Sequence, residues 1–304
     1  MDVAVTGSTG LVGRALVREL RLDGHRVRRV LRSAPPPGEP ALRWDPARGE
    51  IDRAGLEGVD AVVHLAGAGV GDKRWTEDRK RVILESRTTG TRLLAETLAR
   101  LEPRPSVLVS ASGIDYYGET GDEVITEVNP PGTGFMADVC RQWERATTPA
   151  AEAGIRVALI RSAAVQSPQG GALARMLPVF KAGIGGRLGT GRQWWSWITL
   201  DDEVRAIRFL VDRGAGSQIA GPVNLCSPHP VTNAEFAKEL GRVLHRPARI
   251  PAPSLGPWLL FGRELFHSLA LASHRVLPAV LEQAGFEFHH PRLADGLRAE
   301  LGRG

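Results

Sequence analysis

The segment Val3-Ala4-Val5-Thr6-Gly7-Ser8-Thr9-Gly10-Leu11-Val12-Gly13 constrains the fold more than any other stretch of the chain. A short apolar strand runs into a turn with glycines at 7, 10 and 13, and a helical pattern, Arg14–Leu20, follows at once. That order is what a dinucleotide phosphate site needs. The first glycine permits the tight turn, the second lets the backbone approach a pyrophosphate, and the third seats the helix close on the strand. The helix N-terminus then presents unpaired N–H groups and partial positive charge to the phosphates. Ser8, Thr9, Leu11 and Val12 belong to the same expected site because they are the turn and the first helical residues.

The rest of the first half repeats this grammar. Strand patterns at Val3–Thr6, His25–Leu31, Leu42–Asp45, Asp60–Gly67, Val107–Ser110 and Arg156–Ile160 alternate with helical patterns at Val12–Leu22, Thr76–Arg100 and Phe135–Ala153. Leu84, Leu93, Leu94 and Leu98 are expected on the buried side of the longest helix. Near-continuous apolar strands separated by helices predict a parallel sheet covered on both faces. A Pro-rich loop is expected over Ser33–Pro40. Beyond residue 165 the character changes, with Gly- and Pro-rich loops at 166–171 and 183–191. Helical patterns follow at Asn233–Leu244, Leu255–Leu271 and Arg292–Leu301. We expect a sheet domain over 1–165, completed by a strand from 197–226, and a smaller, partly helical lobe over 166–304. Ligands of open α/β sheets bind at the carboxyl edge of the strands, where such a lobe would sit.

Composition bounds the partners. The chain of 304 residues is 42% hydrophobic and 24% charged, as in ordinary soluble domains. The net charge of +5 comes from scattered residues, mostly Arg, without a basic block or stripe, so a nucleic-acid partner is not expected. An anionic ligand is favoured. No apolar run is long enough to span a bilayer, because Trp258–Phe261 is soon followed by Arg263, Glu264 and His267. The two cysteines, Cys140 and Cys226, have no metal-ligand spacing, so no metal is expected. With a strand opening at the first Met, these features predict a cytoplasmic protein.

The residue that follows the second strand selects the nicotinamide cofactor. An acid there accepts from the ribose hydroxyls of NAD, and a base attracts the 2′-phosphate of NADP. The strand ends Val30-Leu31-Arg32-Ser33. Arg32 can fork onto a phosphate and Ser33 can add a hydrogen bond, so NADP(H) is expected.

With these residues in place, the chain resembles the extended short-chain dehydrogenase/reductase proteins. The likeness is to their atypical epimerase-family branch, which carries its own C-terminal domain. The matching residues are the glycine turn, Asp60-Ala61-Val62-Val63-His64-Leu65-Ala66-Gly67, Arg74-Trp75-Thr76, Ser86-Arg87 and Ser110-Ala111-Ser112 with Tyr116-Tyr117-Gly118. Further matches are Trp143-Glu144, Gly170–Leu173, Gly189–Gln193, Ser196-Trp197-Ile198, Arg275–Pro278 and Gly285–Phe288. The resemblance implies a Rossmann-type doubly wound sheet, bound NADP(H) and a C-terminal substrate lobe. It also implies a small-molecule substrate and a monomer or homodimer. His64, Leu65, Ala66 and Gly67 fall at the cofactor, as does Arg87, where related enzymes often carry an Asn. Arg87 either contacts the cofactor or stabilises the interior.

The same resemblance exposes a departure. Typical members pair a Ser with a Tyr and with a Lys four residues later. The Tyr exchanges a proton with the substrate oxygen, and the Lys and the cofactor's charge lower its pKa. Ser112 fits the Ser position, but the Tyr and Lys positions read Phe135 and Val139. Loss of a general acid/base costs about 10²–10⁴ in rate. Tyr117, Tyr116, Asp115, Cys140 and Glu144 are the available replacements, with Ser112 and Tyr117 the leading pair. Asp115 stands where the family often has Gly, and Arg161–Ser167 departs from the usual Val-rich continuation. We therefore expect a polar pocket bordered by Asp115, Phe135, Arg161 and Gln166, with Arg192 and Gln193 reaching it from a Gly-rich loop. Trp194, Trp195 and Trp197 are expected to pack between lobes first and to stack on substrate second. Two functions remain open: an oxidoreductase or epimerase-like enzyme, and a non-catalytic NADP(H)-binding sensor.

Overall fold

The apolar runs become neighbouring strands of one sheet. The computed structural model describes residues 1–33, 41–212, 214–248 and 262–303. In chain order the first half holds β1 (Asp2–Thr6), α1 (Leu11–Leu22), β2 (Arg26–Leu31), β3 (Ala41–Asp45), β4 (Glu50–Ile51), β5 (Ala61–His64), α2 (Glu77–Ala99), β6 (Val107–Gly113), β7 (Val124–Ile125), α3 (Phe135–Arg145), α4 (Thr148–Glu152) and β8 (Arg156–Ser162). The second half holds β9 (Ala164–Gln166), α5 (Gly171–Lys181), β10 (Trp194–Trp195), β11 (Trp197–Thr199), α6 (Leu200–Val211), β12 (Gly221–Leu225), β13 (Val231–Thr232), α7 (Asn233–Leu244) and β14 (Arg275–Val276). Short helices at Arg263–Phe266, Ala279–Gln283 and Leu293–Glu300 complete it.

The main sheet has eight strands in the order β12-β8-β6-β5-β1-β2-β3-β4. Every pairing is parallel except β3 with β4. One face is packed by α1 and α6 through Leu16, Leu20, Ile207 and Leu210. The other is packed by α2 through Leu94 and Leu98, against Val62 and Trp44. This is a Rossmann-type α/β fold with both faces covered. The strand order reverses between β1 and β5, which opens a crevice at their carboxyl ends. A separate core of Leu173, Phe180, Trp197, Phe236 and Leu297 holds the partly helical C-terminal lobe together.

Several local expectations shift. The pattern read as one helix over Phe135–Ala153 is two, α3 and α4, broken at Ala146–Thr147. Pro149 explains the break, because it has no N–H to donate and occupies the first turn of α4. On α2, Leu94 and Leu98 are buried, whereas Leu84 and Leu93 are half-buried and Ile83 takes an inward position. Of the segment 197–226, only β12 enters the main sheet, beside β8. The strand β11 pairs with β9 outside it. The tryptophans pack mainly inside the C-terminal lobe rather than between lobes: Trp197 is buried with Nε1 donating to His229 O, and Trp195 packs on Phe236, while Trp194 lies under Arg275 and its Nε1 donates to Asp122 Oδ1 across to the first half. Within Leu255–Leu271, residues 262–271 are described, helical over Arg263–Phe266 and a π-turn over His267–Leu271. The rest of that pattern, with Trp258–Phe261, and the loop beyond Ser33 lie outside the described residues.

Candidate functional site

A groove of about 720 Å³ follows the carboxyl ends of β1, β2 and β5. Its floor is the glycine turn, and the close approach there leaves no room for side chains. Gly7 has φ +65°, and a Cβ on it would stand 2.6 Å from the Leu65 carbonyl carbon. A Cβ on Gly13 would stand 2.2 Å from Gly7 O, so any larger residue lifts α1 off the turn. Gly10 caps α1 without a side-chain hydrogen bond, and no acid lies in the first turn. The N–H groups of the helix start at Leu11, Val12 and Gly13 are thus left for an external anion. Gly7, Ser8, Thr9, Gly10, Leu65, Ala66 and Gly67 line the groove, and Arg32 and Ser33 are exposed at one end of it. No acid follows β2 to repel a 2′-phosphate. These residues fit an NADP-type dinucleotide.

The groove also uses residues that the sequence reading did not assign to it. Trp44–Ala47, at the end of β3 and just past it, and Val82, Glu85, Ser86 and Thr89 of α2 form its far wall. The only sequence signals were the short strand at 42–45 and the Ser86-Arg87 match. Neither shows that α2 turns that face to the crevice.

Two expected cofactor residues lie behind the groove. His64 is fully buried, with Nδ1 2.7 Å from Thr6 Oγ1 and Nε2 2.8 Å from Thr91 Oγ1. Burial pushes its pKa down to about 4, so it is a neutral bolt between β1, β5 and α2. Arg87 is also buried. Its Nη1 donates to Ala68 O and Ile83 O at 3.0 Å, and its guanidinium lies 4.9 Å from the Trp143 ring. Burial lowers its pKa. It props Gly67 from beneath, 3.3 Å from where a Cβ would be. Of the two roles open for Arg87, the geometry favours supporting the interior.

Ser112 and Tyr117 are brought together, but by a closed network. Ser112 Oγ donates to Glu144 Oε1 at 2.7 Å. Arg161 forks onto Glu144, Nε to Oε1 and Nη2 to Oε2, each 2.8 Å. Its Nη1 donates to the Tyr117 hydroxyl at 2.9 Å, and that hydroxyl donates to Asn224 Oδ1 at 2.7 Å. Tyr116 stacks on Arg161, ring centroid to guanidinium 3.4 Å. Burial raises the Tyr117 pKa to about 12, despite Arg161 beside it. Cys140 is buried on α3, and burial, with Asp115 and Glu144 near, raises its thiol to about 12. Both groups stay protonated at neutral pH, and neither lines the groove or the cavity described next.

Past the end of β6, the strand paired with β5, lies a second cavity of about 540 Å³, walled in part by the C-terminal lobe. Asp115 and Phe135 line it, with Trp75, Glu119, His267 and His274 among the other walls. Phe135 opens α3 and packs edge-to-face on Trp75 at 5.0 Å, with Lys80 Nζ 5.5 Å from its ring. Val139, one turn on, is buried. The other expected pocket residues are elsewhere. Arg161 is held by Glu144. Gln166 is buried on β9, its Nε2 donating to Ala164 O. Arg192 is exposed on its loop, and Gln193 Nε2 is taken by Leu188 O and Ala270 O. Among the described residues there is no group of His, Cys, Asp and Glu placed to hold a metal, and no helix long and apolar enough to cross a membrane.

Comparison with known proteins agrees with this geometry. The profile of the NAD dependent epimerase/dehydratase family matches residues 3–226. A domain of unknown function, DUF1731, matches residues 252–300. Epimerase family protein Mb2239 of Mycobacterium bovis is 44% identical over 295 residues, covering 97% of this chain and 96% of the relative. The chloroplastic SDR39U1 homolog of Arabidopsis thaliana is 38% identical, covering 98% of this chain and 86% of its own. The crystal structure of human epimerase family protein SDR39U1 (isoform 2) with NADPH superposes with a TM-score of 0.90 at 30% identity, covering 99% of both chains.

Proposed function

Because the chain belongs to the NAD dependent epimerase/dehydratase family, we propose that it is a cytoplasmic NADP(H)-dependent enzyme acting on a small polar substrate. The reaction is oxidoreduction or an epimerase-like variant of it. One observation carries the reading: the Gly7–Gly13 turn and an uncapped helix start open onto a groove that ends at Arg32 and Ser33. The NADPH in the human relative supports the cofactor. Bound there, NADP(H) supplies a hydride donor or acceptor. Arg32 and Ser33 hold the 2′-phosphate, the α1 N-terminus holds the pyrophosphate, and Arg87 fixes the Ala66–Ala68 backbone against the dinucleotide. Substrate enters the second cavity, whose Asp115, Glu119 and histidines suit a hydroxylated molecule. The Arg161–Glu144–Ser112 network orients the end of β6 without giving up a proton. A monomer or homodimer suffices, since cofactor groove and cavity both lie within one chain.

Phe135, Val139 and the buried Tyr117 hydroxyl favour a second reading, a cofactor-binding sensor without turnover. NADPH oxidation over a panel of carbonyl compounds separates the two. The cofactor assignment is tested by Arg32→Asp. The expected result is NADPH affinity lowered at least tenfold with NADH affinity within about threefold, since one charge-assisted phosphate contact is worth about 1.5–3 kcal/mol. Equal losses for both cofactors would remove the assignment.

A further inference from the structure

The turn after β6 and the C-terminal segment are sewn together across a long stretch of sequence. The strand β14 pairs with β7 in parallel. Ser273 O accepts from Thr120 N at 3.0 Å and from Thr120 Oγ1 at 2.9 Å, and Ser273 Oγ donates to Gly121 O at 2.6 Å. This stitching sets the half-buried His274 on the cavity wall that it shares with Asp115 and Gly118. Asp115 sits two residues past β6, the neighbour of β5, whose end lines the cofactor groove. Its carboxylate folds back over Gly113, where a Cβ would stand 3.3 Å from Oδ2 and 3.8 Å from Cys140 Sγ. Asp115 and His274 line the same cavity.

We propose that Asp115 and His274 are the proton-transfer pair of this cavity, taking the part that Phe135 and Val139 cannot play. The proposal rests on the NADP(H)-enzyme reading above. In the oxidative direction the imidazole removes the proton of a substrate hydroxyl while the carbinol hydrogen leaves as hydride to NADP+, which is reduced. A carbonyl forms, and the imidazolium returns its proton to water. In the reverse direction the carbonyl carbon takes hydride from NADPH, and its oxygen takes the imidazolium proton. The Asp115 carboxylate stabilises the charged imidazole through its field across the cavity in either direction.

The surrounding charges suit the role. Burial lowers the His274 pKa, and the Asp115 carboxylate, with Glu119 adding to it, opposes that shift and favours a proton on the ring. From α2, the Arg87 guanidinium faces Asp115. From α3, the Cys140 thiol faces it in neutral form. On the C-terminal side Glu264 is neutralised by Lys80 at 2.7 Å, His267 lies 4.0 Å from Glu119, and Arg263 completes the wall.

The test uses the full-length protein with Asp115→Asn and His274→Gln, the latter keeping a hydrogen-bonding side chain that cannot ionise. NADPH affinity is measured first by cofactor fluorescence. Failure of the wild type to bind overturns the enzyme reading itself, separately from the pair. With binding intact, both variants are expected to keep NADPH affinity within about twofold. With a panel of hydroxy and carbonyl compounds, His274→Gln is expected to lose about 10²–10⁴ in turnover. Asp115→Asn should move the corresponding limb of the pH–rate profile to lower pH. The imidazole of His274 is also titrated by NMR in the NADP+ complex, a readout that needs no turnover. Asp115→Asn should lower its pKa. An unchanged titration, or turnover retained in His274→Gln, overturns the proposal whatever the panel yields.

Discussion

Two fully buried ionisable side chains set opposite limits on stability. Glu203 of α6 takes a hydrogen bond from Ser162 Oγ at 2.6 Å on one oxygen, and its other oxygen has no partner among the described residues. Burial raises its pKa to about 8, so the carboxyl is neutral in the native protein at pH 7. An acid raised in this way contributes stability that is complete below its unfolded pKa. That stability is lost as pH rises toward the folded value. Glu203→Gln should therefore raise Tm by several degrees at pH 8.5 and change it little at pH 4.5, read by thermal unfolding at both pH values. A pH-independent difference would show that the carboxyl ionises freely. His64 works in the other sense. Its pKa is depressed to about 4, so stability is complete above pH 6.5 and falls as pH drops toward 4. The family resemblance placed His64 at the cofactor together with Leu65–Gly67, and only those neighbours line the groove. The inward orientation of His64 depended on Thr6 and Thr91, which only the folded sheet brings to it.

At the level of elements, the strand-turn-helix unit was legible because three glycines with a strand before and a helix after leave few other structures. Their spacing encodes a steric fact, that α1 rests directly on the turn. Gly13→Ala tests it. The new Cβ would meet Gly7 O at 2.2 Å, so α1 must move away. We expect NADPH affinity to fall at least tenfold and Tm to drop by a few degrees, measured by fluorescence titration and calorimetry. Wild-type affinity would show that the helix start does not hold the phosphates. The α3–α4 break was less legible, since the apolar spacing continues across Ala146–Thr147 and only Pro149 marks the stop. The far wall of the groove was not legible at all. Trp44–Ala47 and Val82–Thr89 join it through the packing of α2 over the sheet, a tertiary event that leaves no local periodicity.

Across the whole molecule, the groove and the proposed substrate cavity are built from largely different parts of the chain. The groove comes from the first ninety residues. The cavity is closed by Trp75 and by residues of 115–137 and 263–274, the last two segments tied together by β7 and β14. Sequence patterns find the first because its residues are contiguous. They find the second poorly, since Asp115 and His274 are 159 positions apart in the chain. The expectations for Arg192 and Gln193 failed to reach the cavity for the same reason: a Gly-rich loop gives no direction until the lobe folds around it. The central claim is that the β1/β5 groove holds NADP(H) with its nicotinamide end directed at that cavity. A crystal structure of the protein with NADPH tests this most directly. The account predicts the 2′-phosphate against Arg32 and Ser33, the pyrophosphate at the N–H groups of Leu11–Gly13, and the nicotinamide ring facing Asp115 and His274. A 2′-phosphate away from Arg32, or a nicotinamide turned from the cavity, would contradict it.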